Sequence, residues 1–200
     1  RSLRDYNQTL DVQHGTVTTA FTLLDGETPA AQVTLRQMIS LADTGLMQCE
    51  FAVCPTVSGL TLTVEIELLD ECISHHGVHI AYPCQKTVLD GTLALYSTTT
   101  RGAATLALVS PDAKAIYEND RVLSLTFDCA TEATYTVQTV LVSSRENMTP
   151  EYAVRAVRTS TPDQLRAAHE AAWREFWSVS IVDMGDETLN LMRLRFMYAM

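Results

Sequence analysis

Leu60-Thr61-Leu62-Thr63-Val64-Glu65-Ile66-Glu67-Leu68 carries an apolar side chain at every even position and a polar one at every odd position. Successive side chains of a strand point to opposite faces, so this period of two predicts a strand with one buried and one wet face. The pattern also fixes the register, because a slip of one residue would bury Glu65 and Glu67. Working outward, the run from Val33 to Leu41 puts Val33, Leu35 and Ile39 on one face, with Gln37 out of step. Runs of the same kind, rich in β-branched residues, occupy 17–24, 46–54, 92–99, 105–109, 122–128 and 135–143. Turn signals separate them: Asp25-Gly26, Asp43-Thr44-Gly45, Ser58-Gly59, Asp90-Gly91, Arg101-Gly102 and Glu118-Asn119-Asp120. Many short alternating strands without a helix between them predict a mainly β fold from about Val17 to Ser144, with antiparallel sheets packed face to face.

After Ser144 the period changes. Thr149-Pro150-Glu151 and Thr161-Pro162-Asp163 each read as an N-cap, a proline at the first helical position and an acid near the positive helix end. The second of these helices carries Leu165, Ala168, Ala172, Trp173, Phe176 and Trp177 as an apolar stripe. Asp186 can cap a third helix, whose Leu189, Leu191, Met192, Leu194, Phe196, Met197 and Tyr198 encircle nearly its whole circumference. A helix apolar on all sides needs cover on all sides. A 200-residue sandwich does not supply it, so the chain is expected to stop just inside another structural unit.

Composition excludes several classes. The 200 residues are 46% hydrophobic and 19% charged, which suits a packed core rather than a disordered tail. Fourteen Lys+Arg against 24 Asp+Glu give a net charge of -10, a surface that repels a phosphate backbone; nucleic acid is not an expected partner. No apolar stretch approaches the ~20 residues of a membrane span. Five cysteines cannot all pair and lack CxxC spacing, so buried free thiols are the first reading and one disulfide in an exported protein the second. Asn7-Gln8-Thr9 and Asn147-Met148-Thr149 fit the glycosylation sequon, a weak match in a Thr-rich chain. The chain opens on Arg1 and reads as an excised piece, so the lack of a signal-peptide pattern says nothing about compartment.

Candidate chemistry is sparse. Cys72, His75, His76, His79 and Cys84 have the ligand types for zinc. Gly77 and Pro83, and the absence of a zincin glutamate, favour a solvated loop between two strands; no metal is expected there. Trp173, Phe176 and Trp177 could stack on a sugar, but their helical spacing favours packing. Of the carboxylate pairs that glycosidic cleavage requires, Glu65 and Glu67 fall on a wet face and Asp186 is better used as a cap. No GxSxG, GxGxxG or GxxxxGK[ST] motif occurs. Neither a catalytic residue nor a cofactor site is assigned.

Two stretches resemble a known family. Tyr6-Asn7-Gln8-Thr9-Leu10-Asp11-Val12, with Gly15, Thr18-Thr19 and Phe21, is similar to the opening of the N-terminal domain of glycoside hydrolase family 65. Trp173-Arg174-Glu175-Phe176-Trp177, then Ser180 to Asp186 with Gly185, and Asn190, Arg193, Phe196 and Tyr198, resembles that family's linker helix and its approach to the catalytic barrel. Leu189-Asn190 stands where glutamines are expected, and the Phe-Trp-Ser form of the linker resembles exported relatives with six-hairpin barrels. The motif positions are Gln8, Leu10, Asp11, Gly15, Trp173, Trp177, Gly185, Asp186 and Arg193.

The resemblance implies an antiparallel β super-sandwich over residues 1–146, a helical linker over 147–183, and over 184–200 the first helix of an (α/α)6 barrel whose catalytic residues lie downstream. The family includes maltose, trehalose and kojibiose phosphorylases and acid trehalases. The implied role is a non-catalytic N-terminal domain that braces the barrel, shapes its pocket mouth and supplies a homodimer contact. Its partners would be its own barrel and, through the parent enzyme, a carbohydrate substrate. Two other readings compete. A free-standing carbohydrate-binding or adhesive module should end on a strand or polar tail, whereas this chain ends Phe196-Met197-Tyr198-Ala199-Met200. A self-sufficient enzyme needs an acid pair or metal that the residues do not provide. Localisation stays open between cytoplasm and export, with sequons and cysteines leaning to export.

Overall fold

The computed structural model describes residues 2–43, 45–67, 71–73, 79–81, 84–89, 92–99, 102–109, 114–117, 122–143, 150–179 and 182–199. Along the chain come β1 (Ser2–Asp11), β2 (Thr16–Asp25), β3 (Thr28–Ile39), β4 (Leu46–Pro55), β5 (Leu60–Glu67), β6 (Glu71–Ile73) and β7 (His79–Ala81). There follow β8 (Cys84–Leu89), β9 (Thr92–Thr99), β10 (Gly102–Val109), β11 (Lys114–Tyr117), β12 (Val122–Cys129) and β13 (Ala133–Ser143), then helices α1 (Pro150–Thr159), α2 (Pro162–Ser178) and α3 (Glu187–Ala199). The pairings are antiparallel: an eight-stranded sheet in the order β1-β2-β3-β4-β13-β10-β9-β8, a three-stranded sheet β11-β12-β5, and the β6-β7 hairpin. The chain is therefore mainly β, with three helices at its C-terminal end.

Alternation becomes burial where the two larger sheets meet. In β5, Leu60 is buried, Leu62 and Val64 pack against the core, and Thr61, Thr63 and Glu65 are exposed. The register pairs Leu62 with Phe127 and Val64 with Leu125 of β12. Facing them from the large sheet are Val33, Cys49, Val53, Tyr135 and Val137. The Phe127 and Tyr135 rings lie 4.7 Å apart at 45°, and the Tyr135 hydroxyl donates to the Asp128 carbonyl at 3.0 Å, so the one polar end of this aromatic pair is satisfied. Because Leu62 and Val64 are only partly enclosed, alanine at either should cost about 1–3 kcal/mol. Urea denaturation tests this; a cost at Glu65→Ala as large as at Val64→Ala would reverse the register.

The other face of the large sheet receives the helices. Helix α1 packs on β9, β10 and β13, with Val157 almost fully buried. Helix α2 begins with a capping box: Thr161 Oγ1 accepts from the Gln164 backbone N–H at 3.2 Å, and the Thr161 N–H donates to Gln164 Oε1 at 3.0 Å. Arg166 of α2 pairs with Glu50 on β4, tying helix to sheet.

Four details differ from the sequence reading. The sheet starts well before Val17, because β1 runs from Ser2 to Asp11 with every residue exposed; a strand without a buried face leaves no alternation to read. Ile39 shares the face of Val33 but is 67% exposed, while Met38 on the opposite face is buried at 6%. On α2, Ala168 is exposed and His169 takes its place in the buried stripe. The stretch read as a loop contains the β6–β7 hairpin, with Cys72 opposite Ile80 and Ile73 opposite His79, and Cys84 opens β8. His75 and His76 lie outside the described residues, as does the Asp90-Gly91 turn.

Among the described helices none is long and apolar enough to cross a membrane. Cys49, Cys54 and Cys129 carry free thiols.

Candidate functional site

Four of the residues that resemble the family motif, Asp11, Gly15, Trp173 and Trp177, come from opposite ends of the chain and meet at the β1–β2 turn. Asp11 shapes that turn: its Oδ1 accepts from the backbone N–H groups of Gln13 at 3.0 Å and His14 at 3.2 Å, and its Oδ2 binds His14 Nδ1 at 2.7 Å. Desolvation by its neighbours opposes ionisation of Asp11, but the side-chain and backbone bonds from His14 outweigh it and hold the carboxyl below its ordinary value. Gly15 follows with φ +60, in the left-handed region, and its bare Cα faces the Trp173 indole so closely that a Cβ would overlap Nε1, Cε2 and Cζ2. No side chain fits there.

Helix α2 supplies the other half. Leu165, His169, Trp173 and Trp177 recur every four residues, so they stack along one helix face. Trp173 stacks on Trp177 (centroids 5.8 Å, 28°) and meets Phe176 (5.5 Å) and His169 (6.2 Å) edge-on. Trp177 Nε1 donates to the Gln13 carbonyl at 2.9 Å. His169, fully buried, accepts from the Leu41 N–H through Nδ1 at 3.2 Å. That leaves Nε2 to carry the proton and donate to the His14 carbonyl at 2.7 Å, so the ring is the neutral Nε2–H tautomer.

Burial pushes the His169 pKa below 6.5, outweighing the His14 carbonyl and Glu170, which favour the proton; Arg36 and the His14 side chain oppose it too. The unfolded chain therefore takes up this proton first as pH falls. The stability contributed by His169 is complete above about pH 6.5 and is lost as pH drops from there through the folded value. Urea midpoints should accordingly be lower at pH 5.5 than at pH 7.5; a midpoint that rises on acidification would contradict the assignment.

Beyond the turn, α3 starts in a self-contained knot. Asp183 Oδ1 accepts from the Gly185 N–H and Asn190 Nδ2, both at 2.9 Å, and Asn190 Oδ1 accepts from the Met184 N–H at 2.9 Å. The Asn190 amide and then the Gly185 N–H lower the Asp183 pKa. Asp186 is the cap, taking the Leu189 N–H on Oδ1 at 2.9 Å. Asp186→Ala should cost about 0.5–2 kcal/mol of helix stability, read as faster amide exchange in the first turn of α3. Between the turn, α2 and α3 lies an open cleft of about 520 Å³, walled by Gln13, His14, Arg174, Trp177, Asn190 and Arg193.

The structure thus brings together Asp11, Gly15, Trp173 and Trp177 at the turn, lines the neighbouring cleft with Trp177 and Arg193, and uses Gly185 (φ +69) and Asp186 to start α3. Gln8 stands apart on β1, its Nε2 donating to Thr19 Oγ1 at 3.0 Å, and Leu10 is 48% exposed. Sequence reasoning missed Gln13, His14 and His169; for His169 the signal was its place four residues from both Leu165 and Trp173. Chemically, this is a joint. Its carboxylates Asp11 and Asp183 are engaged by neighbouring donors, and no group of three His, Cys, Asp or Glu suited to a metal occurs among the described residues.

The description "Glycosyl hydrolase family 65, N-terminal domain" matches residues 1–176. No curated protein matches the sequence. Eighteen chains of solved structure match its fold. One of them, named "Putative kojibiose phosphorylase from human microbiome", superposes with a TM-score of 0.68 at 13% identity over 88% of this chain. The chain spans 25% of that protein's length, and at this identity the likeness concerns the fold.

Proposed function

The chain belongs to glycosyl hydrolase family 65, whose N-terminal domain it matches over residues 1–176, and from that premise we propose that it is the non-catalytic domain that braces the catalytic barrel of a glycoside hydrolase or disaccharide phosphorylase acting on glucosides. In this reading residues 1–146 form the brace, 147–183 the linker and 184–200 the first barrel helix. The observation that carries it is α3: Leu189, Leu191, Met192 and Phe196 are 45%, 43%, 61% and 66% exposed on a helix whose start is firmly anchored. Water is a poor neighbour for such a surface, and a helical barrel is a good one. The joint at Gly15 and Trp173 then fixes the direction in which the linker leaves the sandwich.

The test compares the isolated chain with the same chain joined to a family barrel. Alone, it should turn over neither maltose, trehalose, kojibiose nor aryl glucosides, with or without phosphate. Joined, Leu191→Ser with Phe196→Ser should lower the melting temperature by several degrees, whereas in the isolated chain the same pair should reduce self-association. Glycoside cleavage by the isolated chain would refute the reading. Tight glycan binding by it would favour a carbohydrate-binding module instead.

A further inference from the structure

We propose that His169 is a proton-operated latch, and that protonation of its ring releases α2 from the β3–β4 turn and so loosens the sandwich's hold on the helix that leads away from it. The ring is fully enclosed and bridges three elements. From α2 it reaches the β1–β2 turn through the His14 carbonyl and the β3–β4 turn through the Leu41 N–H. One ring nitrogen donates and the other accepts, so both are used only while the ring is neutral. A second proton would sit on Nδ1 and face the Leu41 N–H, donor against donor. The bond would then become a repulsion inside a buried contact.

The charged and titratable groups around the ring do not compensate. Glu170 on α2 favours a charged ring; Arg36 on β3 and His14 on the turn oppose it, and burial opposes it most. His14 is itself bonded to Asp11, and Glu50 is paired with Arg166 one turn earlier on α2. With the ring protonated, the favourable course is for it to leave the pocket, which separates α2 from Leu41. A glutamine could make both bonds without titrating. Histidine at this position therefore introduces a proton dependence that the packing alone does not require. The inference concerns the joint itself and stands apart from the proposed bracing role.

The two tryptophans of the chain, Trp173 and Trp177, both follow His169 on α2, so their emission reports the latch. The experiment records tryptophan emission, amide exchange over residues 38–46 and histidine ring nitrogen shifts of the full chain from pH 7.5 to 5. The expected result is a red shift, with exchange (corrected for its intrinsic pH dependence) rising by up to about tenfold per pH unit below pH 6.5. His169→Gln should abolish the transition and His14→Gln should keep it. A His169→Gln protein that is folded at pH 7.5 and retains the transition overturns the proposal. Should that variant fail to fold, the wild type decides: titration of the His169 ring coincident with exposure of the Leu41 amide supports the latch, and titration without that exposure refutes it.

Discussion

Gly15→Ala should lower the unfolding free energy by about 2–5 kcal/mol, whereas Gly26→Ala should lower it by only about 1–2 kcal/mol. Both glycines have left-handed backbones, φ +60 and +62, and an L side chain in that region costs roughly 1–2 kcal/mol at either. They differ in what the new methyl meets. At Gly26 there is nothing within 4 Å; at Gly15 the methyl would overlap the Trp173 indole. That indole cannot swing aside freely, since His169, Phe176 and Trp177 flank it. Overpacking of this kind adds about 1–3 kcal/mol. Urea titrations of the two variants give the comparison directly, with an unchanged slope marking a true loss of stability. The Gly15 variant should also show altered tryptophan emission at zero urea, because the joint must repack even when the fold survives. Equal losses at the two positions would mean that the Gly15–Trp173 contact does not hold the linker.

The extent to which this joint was legible follows from how far apart its halves lie. The sheets could be read because burial of a face is collective: β5 repeats its apolar positions four times before the pattern ends, and its partner β12 does the same. The helix starts could be read because a cap is local, as at Thr161 and Asp186. The joint depends on a contact between His14 and His169, 155 residues apart, which no window along the chain contains. Resemblance singled out Gly15 and Trp173 without saying that they touch. His169 escaped because a polar residue on an apolar stripe reads as an interruption; only the two loop backbones that it satisfies explain its burial. β1 escaped for the opposite reason, as an exposed edge strand imposes no pattern on its residues.

Ile39 and Phe127 illustrate how little alternation says about energy. Both are apolar residues on strands of the sandwich, yet Phe127 is 1% exposed and Ile39 67%. Phe127 sits where β12 faces the large sheet, paired across β5 with Leu62 and packed on the Tyr135 ring at 4.7 Å. Its removal would leave a cavity in the core cluster that it shares with Val53, Val137 and Cys129, whose side chains are held on two hydrogen-bonded sheets that cannot readily collapse inward. Phe127→Ala should therefore cost about 3–5 kcal/mol. Ile39→Ser removes a side chain that is already mostly in water, and should fall within about 0.5 kcal/mol of the parent. Denaturant midpoints on both variants discriminate sharply. A large loss at Ile39 would show that something covers the end of β3 in solution. A small loss at Phe127 would mean that the three-stranded sheet does not close over the eight-stranded one.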